Sequence, residues 1–310
     1  MPAIVIASLA SGEGRTTAVA AFGARAAADR TSVRLARVRA AGGADPAAED
    51  DARALSRVPG CQANTNAVSE QDALELARGA AEDVVLIEAP PGDASSLAAA
   101  LDARVVLVTA RADGLAAGEV APVAGALGDR LLGVVALRQP ERIVDAVRAS
   151  LEGRGLRVLG VVPEDPLLAG PTVRELAEAL HASRLAGDGD DDEAVEHVML
   201  GPISADPGQP YFLQHGSKAV INRSDKMDLH LAALATEPDC LILTSGRPPS
   251  PYLLDRVAGS GGETAVLLAP ETTVQAMQNI DELFARTRFS GTHKIERATE
   301  LFVRFVELPF

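Results

Sequence analysis

The sequence predicts an α/β protein, with a mainly parallel sheet covered by helices on both faces and then a smaller α/β region. Three observations carry this. Wholly apolar runs such as Ala3-Ile4-Val5-Ile6 and Val84-Val85-Leu86-Ile87 recur through the first half, and strands apolar on both faces belong to covered parallel sheets. Helical segments alternate with these runs. An acidic, low-complexity run, Gly187-Asp188-Gly189-Asp190-Asp191-Asp192-Glu193, then separates two patterned regions and reads as a linker.

The first strand, 3–6, leads into Ala7-Ser8-Leu9-Ala10-Ser11-Gly12-Glu13-Gly14-Arg15-Thr16-Thr17 and then into an Ala-rich helix over 18–28. Strand, glycine-containing loop and helix form the setting of a phosphate-binding loop, where backbone N–H groups and the positive helix N-terminus face an anion. The loop departs from the common Gly-x-x-x-x-Gly-Lys-Thr pattern twice: Leu9 stands at the first glycine and Arg15 at the lysine. A short strand follows at 32–38. Gly42-Gly43-Ala44-Asp45-Pro46 reads as a turn into a polar acidic loop ending at Asp51, and a helix is predicted over 69–81. Strands follow at 84–88, 105–109, 132–137 and 158–163, with helices over 141–151 and 172–180. In parallel sheets ligands sit at the carboxyl ends of strands, where the Gly14 loop, Glu88 and Thr109 all fall. Past the acidic run, strands are predicted at 195–200, 219–221, 240–243 and 264–268. Helices are predicted over 227–235, 251–259, 272–284 and 294–305.

Composition narrows the function. The 310 residues carry a net charge of −14, with net −11 on residues 1–196 and −3 on 197–310. Such acidity argues against a nucleic-acid surface, which needs clustered Lys and Arg. No apolar run nears the ~20 residues of a membrane span. The sequence opens on a strand without a basic leader, so a cytoplasmic protein is expected. Only three lysines occur, Lys218, Lys226 and Lys294, a pattern shared by high-salt cytoplasms and GC-rich genomes. Cys61 and Cys240 show no metal-ligand spacing and read as buried reduced thiols.

The order of motifs resembles dethiobiotin synthetase. It resembles more closely the dethiobiotin-synthetase-like N-terminal region of long phosphotransacetylases, through Leu159-Gly160-Val161-Val162-Pro163-Glu164-Asp165-Pro166-Leu167-Leu168 and Pro171-Thr172-Val173-Arg174-Glu175. The resemblance covers residues 1–183 and implies a P-loop NTPase-like fold. It also implies that Arg15, Arg37, Asp50 or Asp51, and Glu88 serve ATP, Mg²⁺ and substrate. Thr16 would offer its hydroxyl to Mg²⁺, so the implied metal ligands are Thr16, Asp51 and Glu88. Residues 1–217 contain no lysine to replace the one missing from the loop, and arginine's planar fork does not reproduce an ammonium's point charge between phosphates. Binding of a nucleotide through Ser11, Gly12, Gly14, Thr16 and Thr17 survives that change better than phosphoryl transfer does.

In the second region, Val220-Ile221-Asn222-Arg223-Ser224-Asp225-Lys226-Met227-Asp228-Leu229-His230-Leu231-Ala232-Ala233-Leu234 resembles the hallmark of the DRTGG domain. So do Leu243-Thr244-Ser245-Gly246-Arg247-Pro248-Pro249-Ser250 and Gly291-Thr292-His293-Lys294-Ile295-Glu296-Arg297-Ala298. The resemblance spans 196–305 and implies a ligand-sensing, dimerising module. Asn222, Arg223, Ser224, Asp225 and Asp228 form a polar cluster between a strand and a helix, with Arg223, Asp225 and Asp228 as candidate ligand contacts. Asp225 alternatively caps the helix over 227–235, and His215, His230 and His293 read as surface or packing residues. The expected division is thus 1–185, a linker over 186–195, and 196–310, with no acetyltransferase domain following. The expected function is a homodimeric, weakly catalytic or non-catalytic protein. It would bind ATP or another adenine nucleotide with Mg²⁺ and regulate an enzyme of acetyl-CoA metabolism. An ATP-dependent synthetase or ATPase with an altered loop, and a partner protein without a small ligand, remain the alternatives.

Overall fold

The computed structural model describes residues 3–42, 44–92, 94–110, 115–202, 208–259, 261–284 and 287–310. Tertiary contacts divide the chain into two units, Met1–Asp165 with Thr292–Phe310, and Pro166–Gly291.

In the first unit the elements run β1 (Ala3–Ser8), α1 (Arg15–Ala28), β2 (Val33–Arg37), α2 (Pro46–Leu55), β3 (Cys61–Ala63), α3 (Glu70–Gly79) and β4 (Val84–Glu88). They continue with α4 (Ala94–Ala100), β5 (Arg104–Thr109), α5 (Leu115–Leu127), β6 (Leu131–Gln139), α6 (Val144–Glu152) and β7 (Val158–Pro163). The sheet order is β3-β2-β4-β1-β5-β6-β7, every pair parallel. This is the expected P-loop NTPase-like arrangement. β1 is buried along its whole length, with Val5 opposite both Ile87 of β4 and Val105 of β5. The alternation of apolar strand and helix was therefore a sound guide. The acidic stretch before Asp51 was not a loop. Asp45 accepts a hydrogen bond from the Ala48 N–H, Pro46 occupies the first turn, and alanines fill the buried side, so the stretch is the helix α2.

The second unit contains α7 (Pro166–Ala169), α8 (Val173–Ala179), β8 (Ser183–Ala186), β9 (His197–Leu200), α9 (Gly208–Phe212), β10 (Lys218–Arg223) and α10 (Met227–Leu234). After these come β11 (Cys240–Thr244), α11 (Pro251–Gly259), β12 (Ala265–Leu268) and α12 (Thr273–Leu283). Its sheet order is β8-β12-β11-β10-β9, parallel except for the β8–β12 edge. Alternate strand residues feed two cores. Ala219, Ile221 and Ile242 join one, and Val220, Leu241 and Leu243 join the other with Ala233 and Met227 of α10.

The boundaries differ from the sequence division in three places. The helix expected over 172–180 and the acidic run both belong to the second unit. The run is tied in by cations: Arg184 pairs with Asp191 and donates to the Gly187 and Gly189 carbonyls, and Arg174 holds Asp192 at 2.9 Å. Val195 at its end is buried. The final helix, α13 (Thr292–Phe305), belongs to the first unit. It packs on α1, with the rings of Phe22 and Phe302 edge-to-face at 5.1 Å, and Arg25 donates to the Phe302 and Val306 carbonyls. Both cysteines are free thiols, Cys240 buried as expected and Cys61 half-buried. Among the described residues no helix is long and apolar enough to cross a membrane.

Candidate functional site

The loop between β1 and α1 closes on itself. Gly14 precedes the helix with φ +89° and no side chain caps it, so the first-turn N–H groups of α1 meet no capping carboxylate or hydroxyl. A Cβ at Gly14 would stand 2.6 Å from Leu137 Cδ1. Glu13 is buried and accepts from the Ala10 N–H at 2.9 Å and the Thr109 hydroxyl at 3.4 Å. Arg138, at the end of β6, donates to the Gly12 carbonyl at 2.6 Å. Ser11 and Gly12 are exposed, Gly14 and Thr17 half-buried, Arg15 and Thr16 buried.

Beneath the loop, the strand ends bring the expected residues together around one carboxylate. Glu88 ends β4 and is 1% exposed. Its Oε1 accepts from the Thr16 hydroxyl at 3.1 Å, lies 3.1 Å from Arg37 Nε and 3.7 Å from Arg15 Nε. Arg37 Nε is also 3.2 Å from Asp51 Oδ2, and its Nη1 donates to the Val38 carbonyl. Asp50 instead pairs with Arg53 on the outside of α2. Burial, with Asp51 adding to it, pushes the Glu88 carboxyl up to about 7, against the pull of Arg37, Arg15 and Thr16. Burial likewise lowers the affinity of Arg15 for its proton, opposed chiefly by Glu88. Glu88 Oε2 and Arg15 Nη1 are buried without a hydrogen bond.

The donor set does not fit a divalent cation. The guanidinium of Arg37 already lies between Glu88 and Asp51, the two carboxylates implied as metal ligands with Thr16. Among the described residues no group of three or more His, Cys, Asp or Glu side chains could by itself hold a metal ion.

In the second unit, Arg223, Asp225 and Asp228 fall in the turn from β10 into α10. Asp225 is not a helix cap, because the cap position is Lys226 and no side chain bonds the helix start. Asp225 grips Arg223 in a fork instead, at 2.6 and 3.1 Å, while Asp228 stands in the first turn of α10. Glu13 and Arg138 carry no role in the sequence reading, and His230 reads there as a surface or packing residue. Only the position of Arg138 at the end of an apolar strand hinted at a role. His230 is buried, and its Nε2 is 2.8 Å from the Arg223 carbonyl.

Residues 175–283 match the DRTGG domain, bearing out that resemblance; the match begins before 196 and stops before α13. The phosphate acetyltransferase of Nitratidesulfovibrio vulgaris is 25% identical over 177 residues, covering 54% of this chain and 25% of that one. The chain thus spans about a quarter of the length of such a curated relative. Among solved structures, the MinD cell division protein of Aquifex aeolicus is 18% identical, with a TM-score of 0.40 over 54% of this chain and 84% of that one. The CBS and DRTGG domains of the regulatory region of Clostridium perfringens pyrophosphatase, complexed with diadenosine tetraphosphate, are 15% identical. Their TM-score is 0.30 over 37% of this chain and 48% of that one.

Proposed function

We propose that the protein binds an adenine nucleotide without turning it over and regulates or scaffolds an enzyme of acetyl-CoA or acetyl-phosphate metabolism, as a cytoplasmic homodimer. One observation carries the absence of turnover. Phosphoryl transfer needs cations held ready for the charge that develops on phosphate, whereas here Arg15 and Arg37 are engaged by Glu88, and Arg37 also by Asp51. What stays open to an anion is the uncapped first turn of α1, with backbone N–H groups that need no metal. The DRTGG match and the similarity to part of a phosphate acetyltransferase support the regulatory assignment.

Calorimetric titration with ATP and ADP, with and without Mg²⁺, tests this beside an ATP-turnover assay. Binding that is indifferent to Mg²⁺, is weakened by Thr16→Ala and comes with no phosphate release is the expected result. Mg²⁺-dependent turnover abolished by Thr16→Ala would establish the synthetase or ATPase alternative instead. No heat with any nucleotide would leave a partner protein without a small ligand.

A further inference from the structure

The second unit holds a set of polar atoms that its own fold leaves unused. Asn222 lies near the carboxyl end of β10, two residues beyond Val220 and so on the same face of the sheet, the face covered by α10. It is 2% exposed, and neither Oδ1 nor Nδ2 has a hydrogen-bond partner among the described residues. His230, in α10, is 1% exposed. Its Nε2 meets the Arg223 carbonyl, and a carbonyl only accepts, so Nε2 carries the proton. Nδ1 is then a bare acceptor, and it too is buried and unpartnered. Burial lowers the His230 pKa, which keeps the ring neutral.

Buried polar atoms without partners are uncommon in folded chains, and each costs about 1–3 kcal/mol. Three of them, two on Asn222 at the end of β10 and one on His230 in the helix α10 that follows, at the carboxyl end of parallel strands where ligands settle, need an explanation. The backbone is shaped around one of them: a Cβ at Gly201 would stand 1.6 Å from Asn222 Oδ1, so only glycine at 201 lets the amide lie there.

We propose that Asn222 and His230 form a binding site for the edge of an aminated nucleobase, with adenine the base chosen here. The chemistry of the atoms defines the ligand. Two acceptors, Asn222 Oδ1 and His230 Nδ1, call for two N–H groups, and the Asn222 amide N–H calls for an acceptor beside them. An exocyclic amine next to a ring nitrogen presents that set, and Asn pairs with adenine through this combination elsewhere. The surrounding charges carry no strong preference for phosphate, since Arg223 is forked by Asp225 and Lys226 has Asp225 before it and Asp228 two residues after it. The site is separate from the α1 loop; it rests on the proposed function only in choosing adenine among aminated bases.

The test uses nucleosides, which have no phosphate to engage the α1 loop. Calorimetry on the full chain with adenosine should show binding that Asn222→Ala weakens at least about tenfold and Thr16→Ala leaves unchanged, one hydrogen bond being worth about that factor. On the unaltered protein, purine riboside, which lacks the amine, should bind at least about tenfold more weakly than adenosine, a comparison that needs no variant to fold. Equal binding of the two nucleosides, full binding by a folded Asn222→Ala protein, or no heat with adenosine, guanosine or cytidine would overturn the site. ATP binding lost only with Thr16→Ala would overturn it while the proposed function stood.

Discussion

The carboxyl ends of the two sheets make opposite use of burial. In the first unit, charged groups gather around one another: Arg15 and Arg37 face the buried Glu88, Arg37 also faces the half-buried Asp51, and only Glu88 Oε2 and Arg15 Nη1 are left over. In the second, neutral polar groups are buried and unmatched, and the charges sit outside, where Arg223 and Asp225 are exposed to water. A recognisable motif thus tells where a ligand site lies in a fold, but whether it still has chemistry to offer depends on whether its groups have found one another.

The comparison breaks most readily at Arg37. Replacing it with Met removes the guanidinium shared by Glu88 and Asp51 and leaves Glu88 short of a partner. Urea unfolding should show a loss of about 3 kcal/mol at pH 8. The loss should shrink at pH 6, because a carboxyl that titrates near 7 takes up a proton there. The same group sets a sign for the native protein. Its folded pKa lies above its ordinary value of 4.5, so its contribution to stability is full below about 4.5 and is lost as pH rises through about 7. Glu88→Gln should therefore gain on the native chain between those limits; parallel stability curves for the two would show that Glu88 does not titrate there.

Gly14→Ala comes next. A methyl at φ +89° against Leu137 should cost about 2 kcal/mol in thermal or urea unfolding, and an unchanged midpoint would mean that the loop relaxes. Asn222→Leu should act in the opposite direction. Removing two unpartnered amide atoms should raise stability by about 1 kcal/mol while abolishing adenosine binding, and a destabilised protein would mean that the amide is satisfied in solution. The smallest effect is expected at Arg223→Ala. That pair is exposed, so the melting temperature should not move measurably.

Much of this organisation was legible in the residues. Apolar runs gave the parallel strands because such strands are buried on both faces, and the strand ends then assembled Thr16, Arg15, Arg37, Asp51 and Glu88 by topology alone. The helix α2 was hidden because its run of acidic residues, Glu49, Asp50 and Asp51, reads as solvated and masks the buried Ala48, Ala52 and Ala54 between and beyond them. The acidic run looked like a linker because its neutralising partners, Arg174 and Arg184, lie up to 18 residues earlier. That Arg15 turns to Glu88, and that Asn222 and His230 find no partner, depends on where side chains point, which sequence spacing does not encode.

The place of α13 has a consequence for how the chain folds. Asp165, the last residue of the first stretch of unit one, is held at 2.7 Å by Arg297 of α13, so the two ends flanking residues 166–291 meet. Closing a loop carries an entropy cost that grows with its length. If the intervening unit collapses first, it draws those ends together and shortens the loop that α13 must close; if it does not, α13 searches across the whole span. In the first case, completion of the first unit follows the folding of the second. A mutation confined to the interior of the second unit should in that case slow the appearance of the Phe22–Phe302 contact, which lies in the first unit.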